Sequence, residues 1–145
     1  MNIKVKKVRE NARLPFRATA GSAGADLFAC IEREVEVGAG KRVLIPTGIA
    51  IELDDPETGA FIFPRSSLSV KHGVSLANCV GVIDSDYRGE IQVPLVNHTD
   101  RPYTVHDGDR IAQMVILPIL LPEFEECDLL GETERGEGGF GSTGV

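Results

Sequence analysis

The sequence predicts an all-β fold: a jelly-roll-like barrel or sandwich of short strands, with one short helix and a flexible C-terminal tail. Apolar residues alternate with other side chains at Val43 and Ile45 and again at Ile49 and Ile51, which is the period of a β-strand. Clusters of Asp, Asn, Gly and Pro separate these short segments, as expected of turns. A single segment, Ser66–His72, has the character of one or two helical turns.

The predicted strands follow one another along most of the chain. They are Ile3–Val8, the segment around Val43 and Ile45, Ile49–Leu53, Ala60–Phe63, Val74–Leu76, Val80–Ile83, Ile91–Leu95, Tyr103–Val105 and Ile111–Leu117. Turn residues lie between them at Asp54–Pro56, Asn97–Pro102 and Asp107–Asp109. We expect the helix to start after Pro64 with hydroxyl side chains at its capping position, and residues 123–134 to be irregular.

Length and composition limit the classes of function. A chain of 145 residues, 42% of them hydrophobic, is expected to form one soluble domain. The net charge of −7 argues against binding to nucleic-acid polymers, which requires clustered Lys and Arg. No apolar run approaches the roughly 18 residues of a membrane span. Three cysteines without Cys-x-x-Cys spacing favour a reducing cytoplasm.

The glycine-rich tail from Arg135 to Gly144 combines groups suited to phosphates with one suited to a base. Glycine backbone N–H groups can approach an anion closely, and the Arg135 guanidinium matches phosphate geometry. Phe140 offers a face on which a nucleobase can stack. A disordered glycine linker is the alternative. The tail fits neither a Rossmann fingerprint, because too few residues follow it to form a helix, nor a Walker A loop, because it lacks the lysine.

Two further segments carry candidate chemistry. Asp84 follows an apolar run and, in a partly desolvated position at a sheet edge, could act as general base toward water; an acidic turn is the alternative. Tyr87, in the same segment, could present its ring to a sugar. Arg65, Ser66 and Ser67 stand at the predicted helix start, where free N–H groups bind phosphate, although a capped surface helix would have the same pattern.

Asp26 and Gln113 are isolated polar residues in apolar or small-residue surroundings. A structural turn is the simpler interpretation for the segment around Asp26, and Gln113 could satisfy a neighbouring backbone group. An acidic protein that binds an anionic nucleotide needs local arginines, backbone amides and a divalent cation to offset the charge, which points to Mg²⁺.

Five segments in order make the chain resemble the trimeric deoxyuridine triphosphatase family (dUTPase, dUTP nucleotidohydrolase). They are Ala23–Ala29, Pro64–Leu68, Gly81–Gly89, Gly108–Met114 and Arg135–Gly144. Ser67 stands where many members carry glycine, which a backbone-amide role would tolerate. The resemblance implies a jelly-roll-like dUTPase β domain over residues 1–130 and a flap over the active site at residues 131–145. It also implies a homotrimer whose active sites lie between chains.

The resemblance further implies Mg²⁺-dependent hydrolysis of dUTP to dUMP and pyrophosphate by attack of water on the α-phosphorus, which limits uracil in DNA and supplies dUMP for thymidylate synthesis. Asp84 would activate the water, Tyr87 would pack against C2′ of the deoxyribose, and Asp26 would hold Mg²⁺ through water. Uracil would be contacted by Asn78, Gly81, Val82 and Ile83, and the phosphates by Arg65, Ser66, Ser67 and Gln113. The closed tail would contact the nucleotide through Arg135, Phe140, Gly141, Ser142 and Thr143.

Two other functions remain open at this point. A dCTP deaminase-like enzyme shares the fold class, but is not expected to combine Asp84 and Tyr87 with an Arg/Phe/Gly tail. A non-catalytic nucleotide sensor or protein-binding module on the same scaffold would be expected to lack either the base or the tail.

Overall fold

The computed structural model describes residues 2–139, which form eleven strands and one helix. The strands are β1 (Lys4–Lys7), β2 (Ala25–Phe28), β3 (Val35–Val37), β4 (Arg42–Pro46), β5 (Ile49–Glu52), β6 (Thr58–Phe63), β7 (Val74–Leu76), β8 (Gly81–Ile83), β9 (Gln92–Asn97), β10 (Tyr103–Val105) and β11 (Arg110–Pro118). The helix, α1, spans Ser66–His72. The prediction of an all-β fold with one short helix is confirmed.

The strands form four antiparallel sheets that do not close into one barrel within the described residues. One sheet has the order β2-β11-β6-β8 and a second the order β4-β9-β7, while β1 pairs with β5 and β3 pairs with β10. The nine-residue strand β11 lies inside the four-stranded sheet, so β2 and β8 form its two edges. Asp26 lies in one of these edge strands, and Asp84 directly follows the other.

The core is made of the inward-facing aliphatic side chains of several ladders. The largest that are almost fully buried are Leu27, Val37, Ile45, Ile49, Val74, Ile91, Val93, Leu95, Val105 and Ile111. Burial of these apolar side chains is the main stabilising contribution to such a fold. It fixes the sheets, and therefore the loops at the sheet edges.

Asn97 is a polar side chain within this core, with no exposed surface. Its Nδ2 donates to the carbonyls of Val37 (2.9 Å) and Arg101 (2.6 Å). Its Oδ1 accepts from the backbone N–H (2.9 Å) and the hydroxyl (2.8 Å) of Thr99. All four hydrogen-bonding positions of the amide are thus used, and they fix the turn that follows β9.

The helix α1 matches its predicted range, but the predicted hydroxyl cap is wrong. The N-cap residue is Arg65, in extended conformation, and no side chain caps the helix. The two serines come one position too late and lie in the first turn, which leaves their backbone N–H groups free of intrahelical partners. At the other end Gly73 adopts φ +63° and donates its N–H to the carbonyls of Leu68 and Ser69.

The segment that follows β11 contains no helix or strand up to residue 139, as predicted for residues 123–134. It exposes apolar side chains at Leu120, Leu121, Phe124, Leu129 and Leu130. Phe124 is 97% exposed. Exposed apolar side chains concentrated in one segment are typical of contact surfaces. No helix in the described part of the chain is long and apolar enough to cross a membrane.

Candidate active site

A cleft of about 330 Å³, which we call the arginine cleft, opens beside β2, the start of α1 and β11. It is lined by Ala18, Ser22, Ala23, Gly24, Asp26, Arg65, Ser66, Ser67, Arg110 and Gln113. The structure therefore brings together five residues that the sequence suggested for phosphate or metal binding: Asp26, Arg65, Ser66, Ser67 and Gln113.

Asp26 lies in the edge strand β2, and its carboxylate is held by two arginines. Arg65 Nε donates to Oδ1 at 2.8 Å and Arg110 Nη1 donates to Oδ2 at 3.2 Å. The Asp26 side chain is only 13% exposed, so these charge-assisted bonds fix it firmly. Each guanidinium has five N–H donors, so both arginines keep donors for an anion.

Arg110 was not among the predicted site residues. It is the first residue of β11, and the pairing with β2 shifts register between Arg110 and Ala112. Such a β-bulge turns a side chain relative to the regular alternation of the strand. The available signal was a charged residue at the start of an otherwise apolar strand, within the Gly108–Met114 segment.

Gln113 lies in the same strand and has a half-buried side chain. Its Nε2 donates to the carbonyl of Pro64 at 2.9 Å, so it satisfies a neighbouring backbone group and also lines the arginine cleft. Gly24 leaves room for it, since a Cβ at Gly24 would lie 2.5 Å from Gln113 Oε1. Ser66 and Ser67 are exposed at the opposite wall, in the first turn of α1.

Arg17 braces the loop that forms the remaining wall of the arginine cleft. It donates to the carbonyls of Ser22 and Ala23, the latter at 2.8 Å. Within the same loop the Ser22 hydroxyl accepts the Thr19 N–H at 3.1 Å. Arg17 could not be selected from the sequence, because its partners are backbone carbonyls.

A second cleft of about 340 Å³, which we call the hairpin cleft, lies at the β8 edge of the four-stranded sheet. It is lined by Leu44, Val82, Ile83, Asp84, Tyr87, Glu90, Ile91 and Gln92. Asp84 directly follows β8 at the sheet edge, as the sequence suggested. Its side chain is exposed, however, so the expected partial desolvation is absent in the single chain.

The segment from Asn78 to Ile83 leads into the hairpin cleft. Cys79 has φ +62°, a left-handed conformation rare for a residue with a side chain, and the Val80 N–H donates to the Asn78 carbonyl at 2.7 Å. Asn78 is exposed, and a Cβ on Gly81 would lie 3.5 Å from its Nδ2. Asn78 and Gly81 are thus neighbours at this edge.

Tyr87 is tied to the cleft by its own loop. Its N–H donates to the Asp84 carbonyl at 3.2 Å, and its hydroxyl donates to the Glu90 carbonyl at 3.1 Å. The Glu90 carboxylate in turn accepts two hydrogen bonds from Arg9. Hydrogen bonding to Arg9 lowers the pKa of Glu90 below its ordinary value. The sequence could not reveal this pair, because its members are 81 residues apart.

The two clefts share no lining residue within residues 2–139. Asp26 belongs to one edge strand of the four-stranded sheet and Asp84 follows the other. Three interstrand spacings separate these edges, a distance on the order of 14 Å. Arg135 donates from Nε to the Gly138 carbonyl at 2.8 Å and lines neither cleft. Phe140, Gly141, Ser142 and Thr143 lie outside the described residues.

The acidic residues are better suited to a magnesium ion that is also bound by substrate phosphates than to one bound by protein ligands alone. No group of three or more Asp, Glu, His or Cys residues within 2–139 could hold a metal ion. Mg²⁺ in nucleotide sites is commonly held by one or two carboxylates, waters and substrate phosphates. Asp26, the one carboxylate of the arginine cleft, is suited to that arrangement, because each of its oxygens keeps a lone pair for a water.

Comparison with known proteins identifies the family. The family model for dUTPase matches residues 10–144. The deoxyuridine 5′-triphosphate nucleotidohydrolase of Desulfitobacterium hafniense is 54% identical, over 100% of this chain and 97% of that protein. The enzyme of that name from Neisseria meningitidis is 49% identical, over 100% and 99%. The Staphylococcus bacteriophage 80alpha dUTPase, solved with dUPNHPP, is 28% identical with a TM-score of 0.89, over 99% of both chains. The chain therefore belongs to the dUTPase family.

Proposed function

We propose that this protein hydrolyses dUTP to dUMP and pyrophosphate, with water attacking the α-phosphorus and Mg²⁺ bound to the substrate phosphates. Two relatives with 54% and 49% sequence identity are named deoxyuridine 5′-triphosphate nucleotidohydrolase, and the phage dUTPase of the same fold was solved with dUPNHPP. Removal of dUTP would limit uracil in DNA, and the dUMP produced would supply thymidylate synthesis.

The arginine cleft is suited to the triphosphate. Arg65 and Arg110 supply positive charge, while Ser66, Ser67 and Gln113 supply polar groups around it. Phosphoryl transfer depends mainly on positioning and charge neutralisation, which such groups provide. When bound beside Asp26, Mg²⁺ would neutralise charge that develops on the phosphates.

The hairpin cleft is suited to the nucleoside and the attacking water. Its apolar lining from Val82 and Ile83 could accept uracil, with polar readout from Asn78 and the backbone around Gly81. Tyr87 would contact the deoxyribose. Asp84, exposed in the single chain, would become a general base once a bound nucleotide and a second chain cover it.

The separation of the two clefts is the observation that carries this proposal furthest. A base and the phosphorus that its water attacks must lie within a few ångströms of each other. In one chain, however, Asp84 follows β8 beside the start of β6, whereas Arg65 lies beyond the other end of β6 and Asp26 lies in the far edge strand β2. We therefore propose a homotrimer in which the arginine cleft of one chain faces the hairpin cleft of another. The exposed apolar residues between Leu120 and Leu130 supply contact surface for such an assembly.

The division of the chain follows from the same proposal. Residues 1–130 form the dUTPase β domain, and residues 131–145 form a flap that covers the bound nucleotide. In that flap Phe140 would stack on uracil, Gly141 would allow a close approach, and Arg135, Ser142 and Thr143 would bind the γ-phosphate. We place the enzyme in the cytoplasm, as a protein that binds no nucleic-acid polymer and no membrane.

Pyrophosphate release from dUTP, dTTP, dCTP and UTP, each with and without Mg²⁺, tests the function. We expect turnover of dUTP with Mg²⁺ and poor turnover of the others. Tyr87 packed against the deoxyribose would leave no room for a ribose hydroxyl, and a uracil site at the segment from Asn78 to Ile83 would leave none for the thymine methyl group. Ammonia release from dCTP would identify a deaminase instead. Tight dUTP binding without turnover would identify a sensor, and equal kcat/KM for dUTP and dTTP would refute the assigned specificity.

A further inference from the structure

The Glu90 carboxylate lies at the junction of three chain segments. It accepts hydrogen bonds from Arg9 Nε at 2.6 Å and Arg9 Nη2 at 3.0 Å, and also from the Gly48 N–H at 2.9 Å. The Glu90 side chain is 17% exposed and that of Arg9 is 46% exposed. We call this arrangement the Arg9–Glu90 clamp. It joins the segment after β1, the turn between β4 and β5, and the loop that follows β8.

The same loop end is fixed through its backbone. The Ile91 N–H donates to the Ile49 carbonyl at 2.8 Å. The Ile91 carbonyl accepts the Thr47 N–H at 3.2 Å and the Thr47 hydroxyl at 2.6 Å. Glu90 is therefore held by its side chain and by the residue that follows it, so its own carbonyl has a defined place.

That carbonyl is the anchor of Tyr87. Tyr87 is 44% exposed, so packing alone does not fix its ring. Within residues 2–139 its hydroxyl has one hydrogen-bond partner, the Glu90 carbonyl at 3.1 Å. The ring lies directly over Gly89, where a Cβ would come 2.5 Å from Tyr87 Cζ. The position of the ring is thus set by the backbone of Gly89 and Glu90.

From these contacts we infer that Arg9 and Glu90 are positioning residues for sugar discrimination. This inference rests on the proposed function, in which Tyr87 packs against the deoxyribose and leaves no room for a ribose hydroxyl. Three donors on one carboxylate restrict its rotation, whereas a single donor would permit it. If the clamp is lost, Glu90 and with it the Tyr87 ring can move, and the space that a ribose hydroxyl needs becomes available.

The test is the ratio of kcat/KM for dUTP to kcat/KM for UTP. We expect Glu90→Ala to lower this ratio about tenfold, chiefly by raising kcat/KM for UTP relative to dUTP, because exclusion of one hydroxyl by shape is a small effect that a slight displacement removes. Arg9→Met removes the guanidinium donors but keeps the hydrogen bond from the Gly48 N–H to Glu90, so it should lower the ratio less than Glu90→Ala does. Glu90→Gln, which keeps an acceptor oxygen for Gly48, should retain more discrimination than Glu90→Ala.

Glu52→Gln is the matched control. Glu52 accepts a hydrogen bond from Lys4 at 2.8 Å in an exposed ion pair between β1 and β5, and within residues 2–139 it has no hydrogen bond to Tyr87. It should leave the ratio unchanged, and Arg9→Met covers the case in which Glu90→Ala does not fold. Absence of dUTP turnover by the wild type would refute the proposed function. Folded Glu90→Ala and Arg9→Met enzymes with the wild-type ratio would refute the clamp alone.

Discussion

Replacing Gly24 by alanine tests whether the geometry of the arginine cleft governs turnover. The added Cβ would lie 2.5 Å from Oε1 of Gln113 and 3.2 Å from both its Cβ and its Cδ. Rotation of the Gln113 amide relieves the first contact, and a shift of the side chain by a few tenths of an ångström relieves the other two. The rotation turns Nε2 away from the Pro64 carbonyl and so weakens the hydrogen bond between them.

Gly21→Ala in the same loop is the control, because a Cβ there meets nothing within 4 Å. Both variants reduce the entropy of the unfolded chain in the same way, so the difference between them isolates the steric effect. Overpacking of this kind costs about 1–3 kcal/mol, and weakening of the Gln113 bond contributes up to about 1 kcal/mol within that range. Gly24→Ala should therefore unfold at a lower urea concentration than Gly21→Ala.

The effect on activity should exceed the effect on stability. A displacement of about 1 Å in a positioning group can lower turnover by up to roughly 100-fold, and Gln113 lines the cleft proposed for the phosphates. Urea unfolding and pyrophosphate release, measured on both variants, give the two quantities. If Gly24→Ala matched Gly21→Ala in both the urea midpoint and kcat/KM, the reasoning about this wall of the cleft would be wrong.

Four other perturbations test the remaining parts of the structure. Asp84→Asn should bind dUTP normally and lower kcat by about 10²–10⁴-fold; a wild-type rate would remove Asp84 from the base role. Deleting residues 135–145 should leave the urea midpoint nearly unchanged but reduce turnover sharply. Refolding the truncated chain together with the Asp84→Asn chain should restore activity if active sites are shared between chains. Mixed trimers without activity would contradict shared active sites. Hydrogen bonding to Arg9 lowers the pKa of Glu90 below the ordinary 4.5, so the charged carboxylate stabilises the fold above pH 4.5 and this stabilisation is lost as the pH falls through the lowered pKa. Glu90→Gln should therefore have a smaller free energy of unfolding than wild type at pH 7, and the difference should vanish in acid. A difference that does not depend on pH would refute the assignment. Gly48 has φ +71°, and a Cβ there would lie 2.7 Å from the Cβ of Ala12, whereas Gly40 has φ +66° and no neighbour within 4 Å of an added Cβ. Gly48→Ala should therefore lower the free energy of unfolding by about 1–3 kcal/mol more than Gly40→Ala. Equal losses in chemical denaturation would mean that the packing around Gly48 relaxes freely.

Local periodicity was sufficient to predict the strands whose apolar residues alternate, such as β5 and β9, and the helix α1. It failed at β2, where Ala25 and Leu27 are buried but the strand has four residues and follows a run of small ones. That pattern is equally typical of a turn. The strand exists because β11 pairs along it, and pairing with a strand more than 80 residues away leaves no local mark in the sequence.

The candidate site shows the same limit. Asp26, Arg65 and Gln113 were selected one by one, and the structure brings them into one cleft. Arg110 was not predicted because a β-bulge, which the sequence does not reveal, sets the direction of its side chain. Arg9 was not predicted because it contacts Glu90 rather than lining a cleft. The position of Asp84 after a strand was predictable, but its exposure was not, since exposure depends on which distant segments pack at the sheet edge.

Asn97 has a consequence for how the protein can be made. Asn97-His98-Thr99 has the acceptor pattern for N-linked glycosylation. A glycan would be attached to Nδ2, the atom that donates to the Val37 and Arg101 carbonyls in a residue with no exposed surface. Only an unfolded chain offers that nitrogen to a transferase, and a chain so modified could not form the turn after β9. In a secretory host, sugar attachment and folding would therefore compete for the same atom, and every glycosylated molecule would be lost from the folded population.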